Sequence, residues 1–301
     1  MPSTQVLARA SKCFPLIEVS LEKPHEVRTL SKRTVQALAS QGFRRRENQV
    51  AKLARNIRRS TKINRNWLRV LGNPAILGKA DILSWISMAH KSGDRDETLW
   101  RVFLAGHFGR LSANPKKASQ VQSASRLLCG LGKSPTWSWK RVSSDLRGSK
   151  GWLTENRSSL RELRFGNHRK YESNKPQALY EVIASFVSWV RKNGGTPSRA
   201  FAARSSKDPE EWFDSLYRSL EVHRFGRTAR FDTLCLLADM RILPVKPGSC
   251  YIRAATGPLR GARKLWGKRS PSALNFLADQ AAKSLQVPVD VFEDALCNWQ
   301  K

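Results

Sequence analysis

The sequence predicts a mostly α-helical fold, and three observations support this prediction. Apolar residues recur at helical spacing in most segments, whereas the strict alternation typical of β-strands is almost absent. Stretches that contain Gly and Pro separate these segments, most clearly Asn193–Ser198. The 301 residues are 40% hydrophobic and include 10 Trp and 12 Phe, which is ample for a core and excludes a disordered protein.

The helical segments follow one another in a clear order. The first, residues 31–70, carries apolar residues near helical spacing between clusters of Arg and Lys. A turn at 91–97 precedes residues 99–110, an apolar helix that is too hydrophobic on all sides to lie on a surface. A polar loop with a short helix fills residues 111–155. A Gly-containing turn that begins at Leu163 then leads into an amphipathic helix.

The second half of the chain continues the helical pattern. Helical signals recur at four places, which are residues 209–220, 229–240, 271–285 and 288–299. Between them, residues 242–267 alternate Pro and Gly turns with short helices. We therefore expect a basic helical N-terminal region at 1–90 and a larger domain at 91–301.

The charge of the chain predicts a polyanionic partner. The sequence has 54 Lys and Arg against 24 Asp and Glu, a formal net charge of +30. Such a surplus on a foldable chain is typical of nucleic-acid-binding proteins. An anionic membrane surface is the weaker alternative, because no lipidation motif appears at either terminus. No run of roughly 18–20 apolar residues is found, so we expect no membrane span. With no secretory signal at the start, we expect a cytoplasmic protein of bacterial type.

Neither the cysteines nor the histidines form a metal-binding pattern. The five cysteines are scattered, with no C-x-x-C pair, and the five histidines are too far apart for a local ligand pair. No phosphate-binding loop or dinucleotide fingerprint is present. We expect neither a metal ion nor a cofactor.

The N-terminal region contains a candidate contact with DNA phosphates. Its strongest basic cluster is Arg44, Arg45 and Arg46. In view of the global charge, we expect the helices around this cluster to contact the DNA backbone. The alternative is an amphipathic surface helix whose polar face happens to be basic.

A second candidate is the segment FGRTARF at residues 225–231. A Gly-centred turn between two helices points backbone N–H groups outward, and N–H groups at the start of a helix bind phosphate. Gly226 is expected to permit the tight backbone, and Thr228 follows in the first turn. Arg224, Arg227 and Arg230 add positive charge. An ordinary helical hairpin is the equally weighted alternative.

A third candidate is the segment FGNHRKYES at residues 165–173, in which aromatic, amide, cationic and carboxylate side chains lie close together. Such a set fits a nucleotide flipped out of the duplex. The aromatic rings stack on the base, Asn and Glu read its edge, and the cations hold its phosphates. The expected residues are Asn167, His168, Arg169, Lys170, Tyr171 and Glu172. The alternative is a solvated basic loop with Tyr171 as its packing anchor.

Two polar residues interrupt apolar helices. His107 lies beside Phe108 on the helix at 99–110, where it is either a hydrogen-bonded core residue or, with Phe108, part of a base pocket. Asp232 follows Ala229 in an otherwise apolar run, where a carboxylate is costly unless it is paired or used. Asp232 therefore either forms an ion pair with a nearby arginine or acts at a reacting centre.

Four stretches of the chain resemble the α-glutamyl/putrescinyl thymine pyrophosphorylase family, clade 3, of the helix-hairpin-helix DNA glycosylase superfamily. They are LWRVFLAGHFGR, LRFGNHRKYES, FGRTARFDTLCLLADM and GSCYIRAATGPLRGARKLWG. The resemblance implies a two-lobed helical fold in which the hairpin anchors duplex DNA and a nucleotide is flipped into a pocket. It further implies excision of a bulky modified pyrimidine from phage DNA, such as glucosylated hydroxymethylcytosine or a hypermodified thymine, in antiviral defence. The expected partner is double-stranded DNA carrying modified bases, bound by a monomer.

The chain departs from the superfamily pattern at the catalytic turn. Members of the superfamily carry an aspartate in a Val-Asp-Thr-His-like turn, whereas the corresponding stretch here, Pro244–Ser249, has no carboxylate. Asp232 or Glu172 is expected to replace it, because a carboxylate stabilises the oxocarbenium charge that develops when the N-glycosidic bond breaks. The cysteines of an iron–sulfur cluster and the lysine of a lyase are both absent, which indicates a monofunctional glycosylase.

The missing aspartate leaves two other functions open. The first is a non-catalytic protein of the same fold that binds modified duplex DNA. The second is an RNA-binding protein, for which this charge would be ordinary, although a helix-hairpin-helix favours duplex DNA.

Overall fold

The computed structural model describes residues 52–57, 59, 82–109, 119–128, 137–166 and 169–300. The chain divides into two compact units. The central unit comprises residues 65–242, and the terminal unit combines residues 1–64 with 243–301. The boundary expected at residue 90 stays a prediction, because residues 1–51 and 60–81 lie outside the described part of the chain.

The described residues are mostly helical and contain no strand, which confirms the predicted fold class. The helices of the central unit are α1 (Ile82–Lys91), α2 (Arg95–Phe108), α3 (Ser119–Leu128), α4 (Trp139–Ser144), α5 (Leu146–Glu155), α6 (Arg157–Leu160), α7 (Pro176–Lys192), α8 (Pro197–Ala202), α9 (Pro209–Ser219) and α10 (Arg227–Asp239). No helix in the described ranges is long and apolar enough to cross a membrane.

Helix α2 is the central helix of this unit, as its apolar sequence predicts. The Asp94 side chain accepts a hydrogen bond from the N–H of Glu97 and caps its first turn. Every residue from Val102 to Phe108 is buried. The ring of Phe103 stacks on that of Phe186 from α7 at a centroid distance of 3.9 Å. Packing on several sides explains why α2 shows no single apolar stripe.

Helices α2 and α10 approach closely where Gly106 faces Thr233. A Cβ atom at position 106 would collide with the Oγ1 atom of Thr233, and the ring of Phe225 lies just behind. Thr233 is fully buried, and its hydroxyl finds no hydrogen-bond partner among the described residues. His107 is the next residue along α2.

We expect Gly106→Ala to destabilise the protein by about 1–3 kcal/mol, because the added methyl group overpacks the contact between α2 and α10. Adding Thr233→Ala should recover most of the loss, since it removes the colliding hydroxyl. Urea unfolding of both variants measures the effect. An equal cost with and without Thr233→Ala would show that the contact with Thr233 is not the cause.

The terminal unit contains a 3₁₀ turn at Ile252–Ala254 and three helices, α11 (Thr256–Trp266), α12 (Pro271–Ser284) and α13 (Val289–Trp299). Helix α11 lies against α13 through Gly257 and Gly261. A Cβ atom at Gly257 would press on the Sγ atom of Cys297, and one at Gly261 would collide with the main-chain oxygen of Leu296. Glycine at both positions therefore permits close packing of the two helices and fixes the rotation of α11.

A short helical segment at residues 52–57 packs into the same core. Leu53, Ala54 and Ile57 are fully buried in it, whereas Lys52 and Arg55 are exposed. This segment is therefore amphipathic with a basic outer face, as its spacing predicts. Arg44, Arg45 and Arg46 lie outside the described residues, and their role stays a prediction.

Candidate functional site

The loop between α6 and α7 is tied to the C-terminal end of α2. The N–H of Gly166 donates to the main-chain oxygen of Phe108 at 2.6 Å. Gly109 ends the helix with φ +100°, and a Cβ atom there would press on the Cα atom of Gly166 and on the Arg169 side chain. Glycine at 109 is thus needed both for its backbone conformation and for the close approach. Asn167 and His168 lie outside the described residues.

Arg169 is the buried centre of this loop, with 1% of its surface exposed. Its Nε atom donates to the main-chain oxygen of His107 at 3.1 Å, and its terminal nitrogen donates to that of Arg224 at 3.1 Å. The same nitrogen lies 3.2 Å from Glu172. Arg169 was expected to hold phosphate, but burial and these partners leave its guanidinium no free surface. It joins the loop, α2 and the turn before α10 instead.

Glu172 lies between two arginines, with 2% of its side chain exposed. One carboxylate oxygen faces Arg169, and the other accepts a hydrogen bond from the Nε atom of Arg224 at 2.8 Å. Arg224 also reaches the main-chain oxygen of Tyr171 at 3.5 Å. The structure thus brings together Arg169 and Glu172 from one predicted motif and Arg224 from another. Glu172, one of the two expected catalytic acids, forms ion pairs with both arginines.

The turn before α10 is built differently from the expectation. The left-handed residue is Arg224, with φ +56°, whereas Gly226 has φ −70° and a Cβ atom there would meet nothing within 4 Å. Gly226 is therefore not required for the tight backbone. The tight turn is made at Arg224 instead. Its side chain bonds to Glu172, and its main-chain oxygen accepts a hydrogen bond from Arg169. Gly226 is exposed at the start of α10.

The remaining residues expected to bind DNA at this turn are half-buried. The guanidinium of Arg227 lies 4.5 Å from the ring centre of Phe231, and the Nε atom of Arg230 donates to the main-chain oxygen of Phe225. Thr228 lies between them on the first turn of α10. Asp232 is half-buried on the next turn and makes contacts within the described residues.

The loop between α6 and α7 also has an exposed side. Tyr171 is 65% exposed, and Lys170 beside it is exposed as well. Tyr171 is therefore not a packing anchor; the buried anchor of the loop is Arg169. Two tight turns hold this segment, since Arg169 N donates to Gly166 O and Glu172 N donates to Arg169 O. The loop presents an aromatic ring and a cation to solvent on a well-anchored backbone.

His107 and Phe108 lie behind this surface. Phe108 is fully buried, and its ring stacks on that of Phe165 at 4.9 Å. His107 is 2% exposed; its Nδ1 atom lies 3.4 Å from Arg169, and its Nε2 atom has no hydrogen-bond partner among the described residues. Burial, and then the charges of Arg169 and Arg224, lower the pKa of His107 to about 3. The imidazole is therefore neutral at pH 7.

This shift in the pKa of His107 predicts acid sensitivity. Between its ordinary value of 6.5 and about 3, the unfolded chain binds a proton that the folded protein excludes, so stability falls as the pH is lowered through this window. At pH 5 the loss relative to pH 7 amounts to about 2 kcal/mol. In His107→Gln this loss should be absent, whereas it should persist in His223→Gln, which changes an exposed histidine. Urea unfolding of the wild-type protein and both variants at pH 7 and pH 5 measures the loss of stability. Equal losses in all three proteins would contradict the prediction.

A carboxylate that sequence reasoning missed lies in the terminal unit. Asp279 of α12 accepts hydrogen bonds from the N–H of Cys250 at 2.7 Å and from the hydroxyl of Ser249 at 2.9 Å. Asn275 donates to both Ser249 and Asp279. Desolvation by burial raises the pKa of Asp279. The stretch Pro244–Ser249 has no carboxylate of its own, but Asp279 supplies one to its end from a helix about 30 residues later.

No spacing rule connects Asp279 to that turn. The available signal was a pair of polar residues one helical turn apart, Asn275 and Asp279, on a helix whose other positions are mostly apolar or small. Within the described ranges, no group of three or more His, Cys, Asp or Glu side chains could hold a metal ion.

The comparisons with known proteins give one result. A family model described as alpha-glutamyl/putrescinyl thymine pyrophosphorylase clade 3 matches residues 46–301. The match includes all four stretches on which the resemblance rests. Searches of curated proteins and of solved structures return no significant match.

Proposed function

The chain belongs to the alpha-glutamyl/putrescinyl thymine pyrophosphorylase clade 3 family, and on that premise we propose that it excises a modified pyrimidine from DNA. The name of the family describes enzymes that act on modified thymine. The finer proposal is a monofunctional N-glycosylase that acts on double-stranded phage DNA in antiviral defence, leaving an abasic site. Its substrates would be bulky bases such as glucosylated hydroxymethylcytosine or hypermodified thymine.

One observation carries the proposal most directly, namely the anchored loop that exposes Tyr171 and Lys170. An exposed aromatic ring is a stacking platform for any base, and the adjacent cation attracts phosphate. Arg224 bonds to the Glu172 side chain and to the main-chain oxygen of Tyr171, so the loop is joined to the turn at which α10 begins. An exposed aromatic ring next to an exposed cation suits a flipped nucleotide and its backbone.

The proposed chemistry is hydrolysis of the N-glycosidic bond. The bond between C1′ and the base breaks, its electron pair leaves with the base, and water attacks C1′. One proton of that water passes to the base, so the products are a free base and an abasic sugar. We assign the stabilising carboxylate to Asp232, because both oxygens of Glu172 are already paired with arginines.

The same position of Glu172 favours a second candidate, a non-catalytic protein that binds modified duplex DNA. If Asp232 also serves only packing, the described part of the central unit offers neither of the two expected acids for catalysis. Tyr171 and Lys170 would then recognise the DNA without cutting it.

A product assay separates the two candidates. The purified protein is incubated with phage DNA that carries glucosylated hydroxymethylcytosine and with unmodified DNA, and released bases and abasic sites are quantified by mass spectrometry. We expect release of the free modified base from the modified DNA alone. Tight binding without release, on this DNA and on DNA containing hypermodified thymine, would favour the binding protein and overturn the glycosylase.

A further inference from the structure

The charges of the described segment 243–300 of the terminal unit are segregated between surface and interior. From Leu243 to Gln300 the described chain has eight Lys and Arg, all exposed, and four Asp and Glu, all buried or half-buried. The exposed cations are Lys246, Arg253, Arg260, Arg263, Lys264, Lys268, Arg269 and Lys283. The outer surface of this segment is therefore basic, and its acids serve internal contacts such as that of Asp279 with Cys250.

Part of this basic surface is a groove. It has a volume of about 320 Å³ and is lined by Ala254, Ala255, Thr256, Leu259, Arg260 and Arg263. The last four lining residues lie on one face of α11, because positions separated by three, four and seven residues project from the same side of a helix. The groove thus combines a small apolar floor, one hydroxyl group and two guanidinium groups.

The packing of helix α11 fixes the backbone positions from which these two arginines project. Gly257 and Gly261, which project from another face, press α11 against α13 so closely that a Cβ atom at either position would strike Cys297 or Leu296. A helix packed at this distance cannot rotate without overlap. Arg260 and Arg263 form no ion pair within the described residues, and the four acids of segment 243–300 are buried or half-buried.

We propose that this groove, defined by Thr256, Arg260 and Arg263, binds the phosphate groups of duplex DNA. The proposal rests on the proposed function, in that the substrate is DNA, and it adds a second contact surface in a unit to which no DNA contact had been assigned within the described residues. Two guanidinium groups are suited to phosphate, because their planar donors bind its oxygens bidentately. Such contacts position the duplex and carry no sequence information.

The test is the salt dependence of binding to an unmodified duplex, measured by fluorescence anisotropy between 50 and 200 mM salt with the full-length protein. Each lost phosphate contact reduces the slope of log K against log[salt] by about 0.9. Arg260→Gln and Arg263→Gln should each reduce the slope by about 0.9, and the double variant by about 1.8. The matched control is Lys268→Gln with Lys283→Gln, which removes two exposed cations of the same unit outside the groove and should change the slope by less than about 0.5.

An unchanged slope in the double variant, or an equal reduction in the control, would overturn the proposal. Free pyrophosphate carries oxyanion groups like those of the DNA backbone. A calorimetric titration with inorganic pyrophosphate tests whether the groove binds such a free anion instead. If the double variant loses pyrophosphate binding but keeps the DNA slope, the groove takes a free anion and not the DNA backbone. The salt dependence of binding is measured without catalysis, so a protein that releases no base can still show the expected reduction in slope. Conversely, an unchanged slope in the double variant would not alter the outcome of the product assay.

Discussion

Replacing Glu172 with glutamine is expected to lower the free energy of unfolding by about 3–5 kcal/mol. The substitution leaves the guanidinium of Arg169 buried at 1% exposure with no carboxylate beside it. Arg224 loses its 2.8 Å partner as well, and with it one of the bonds that hold the loop against the turn before α10. Removing one member of a buried ion pair costs far more than the pair contributes, because the remaining charge is desolvated without compensation.

The chain offers a matched control for this change. Glu162 pairs with Arg126 at 2.6 Å, but both side chains are largely exposed. Glu162→Gln should therefore cost less than about 1 kcal/mol. Combining Glu172→Gln with Arg169→Met should cost less than the sum of the two single changes, because both buried charges then disappear together. Urea unfolding of the four variants tests this, and a cost for Glu172→Gln as small as that of Glu162→Gln would return Glu172 to the list of catalytic acids.

The expected loss of stability affects the interpretation of activity measured in Glu172 variants. A loss of base release in a Glu172 variant would follow from disruption of the site, whether or not the carboxylate reacts. Tyr171 and Lys170 can be changed with less risk, because their side chains are exposed and the turn beneath them is held by the main chain and Arg169.

The sequence predicted most of the apolar helices well, because their signals are local. Residues 111–155 were expected to form a loop with one short helix, whereas their described part contains α3, α4 and α5. The apolar run at 99–110 appears as Arg95–Phe108, and the start of the final helix pair is set by Pro271 and its capping residue Ser270. Proline at the first helical position and a hydroxyl just before it determine a helix start independently of tertiary structure.

The site was predicted less completely, because its contacts join residues far apart in the chain. Residue types alone could place Arg169 and Glu172 in one motif and Arg224 in another. They could not show that Arg169 is buried between α2 and the turn before α10, since its partners there are main-chain oxygens 62 and 55 residues away. Backbone oxygens carry no side-chain signature, so a buried arginine and a phosphate-binding arginine look alike in sequence. Asp279 was missed for the same reason, because it serves a turn 29 residues before it.

Replacing Asp232 with asparagine is expected to reduce the rate of base release by about 10³-fold, or about 4 kcal/mol of transition-state stabilisation. Asparagine keeps the shape of the side chain but removes the negative charge that opposes the developing oxocarbenium ion. The affinity for modified duplex should change by less than about threefold, because a carboxylate does not contribute attraction to phosphate. Single-turnover kinetics at saturating protein separate the chemical step from binding.

Asp239→Asn is the matched control, since Asp239 is half-buried and lies two turns along the same face of α10. Its rate of release should stay within about threefold of the wild-type rate, because a carboxylate two turns away is about 10 Å further from the reacting sugar. Equal losses in both variants would indicate that α10 tolerates no change of charge, and full activity in Asp232→Asn would exclude it as the catalytic acid. In the latter case Asp279 becomes the carboxylate to test, because it is half-buried, its pKa is raised, and it contacts the turn that lacks an acid of its own.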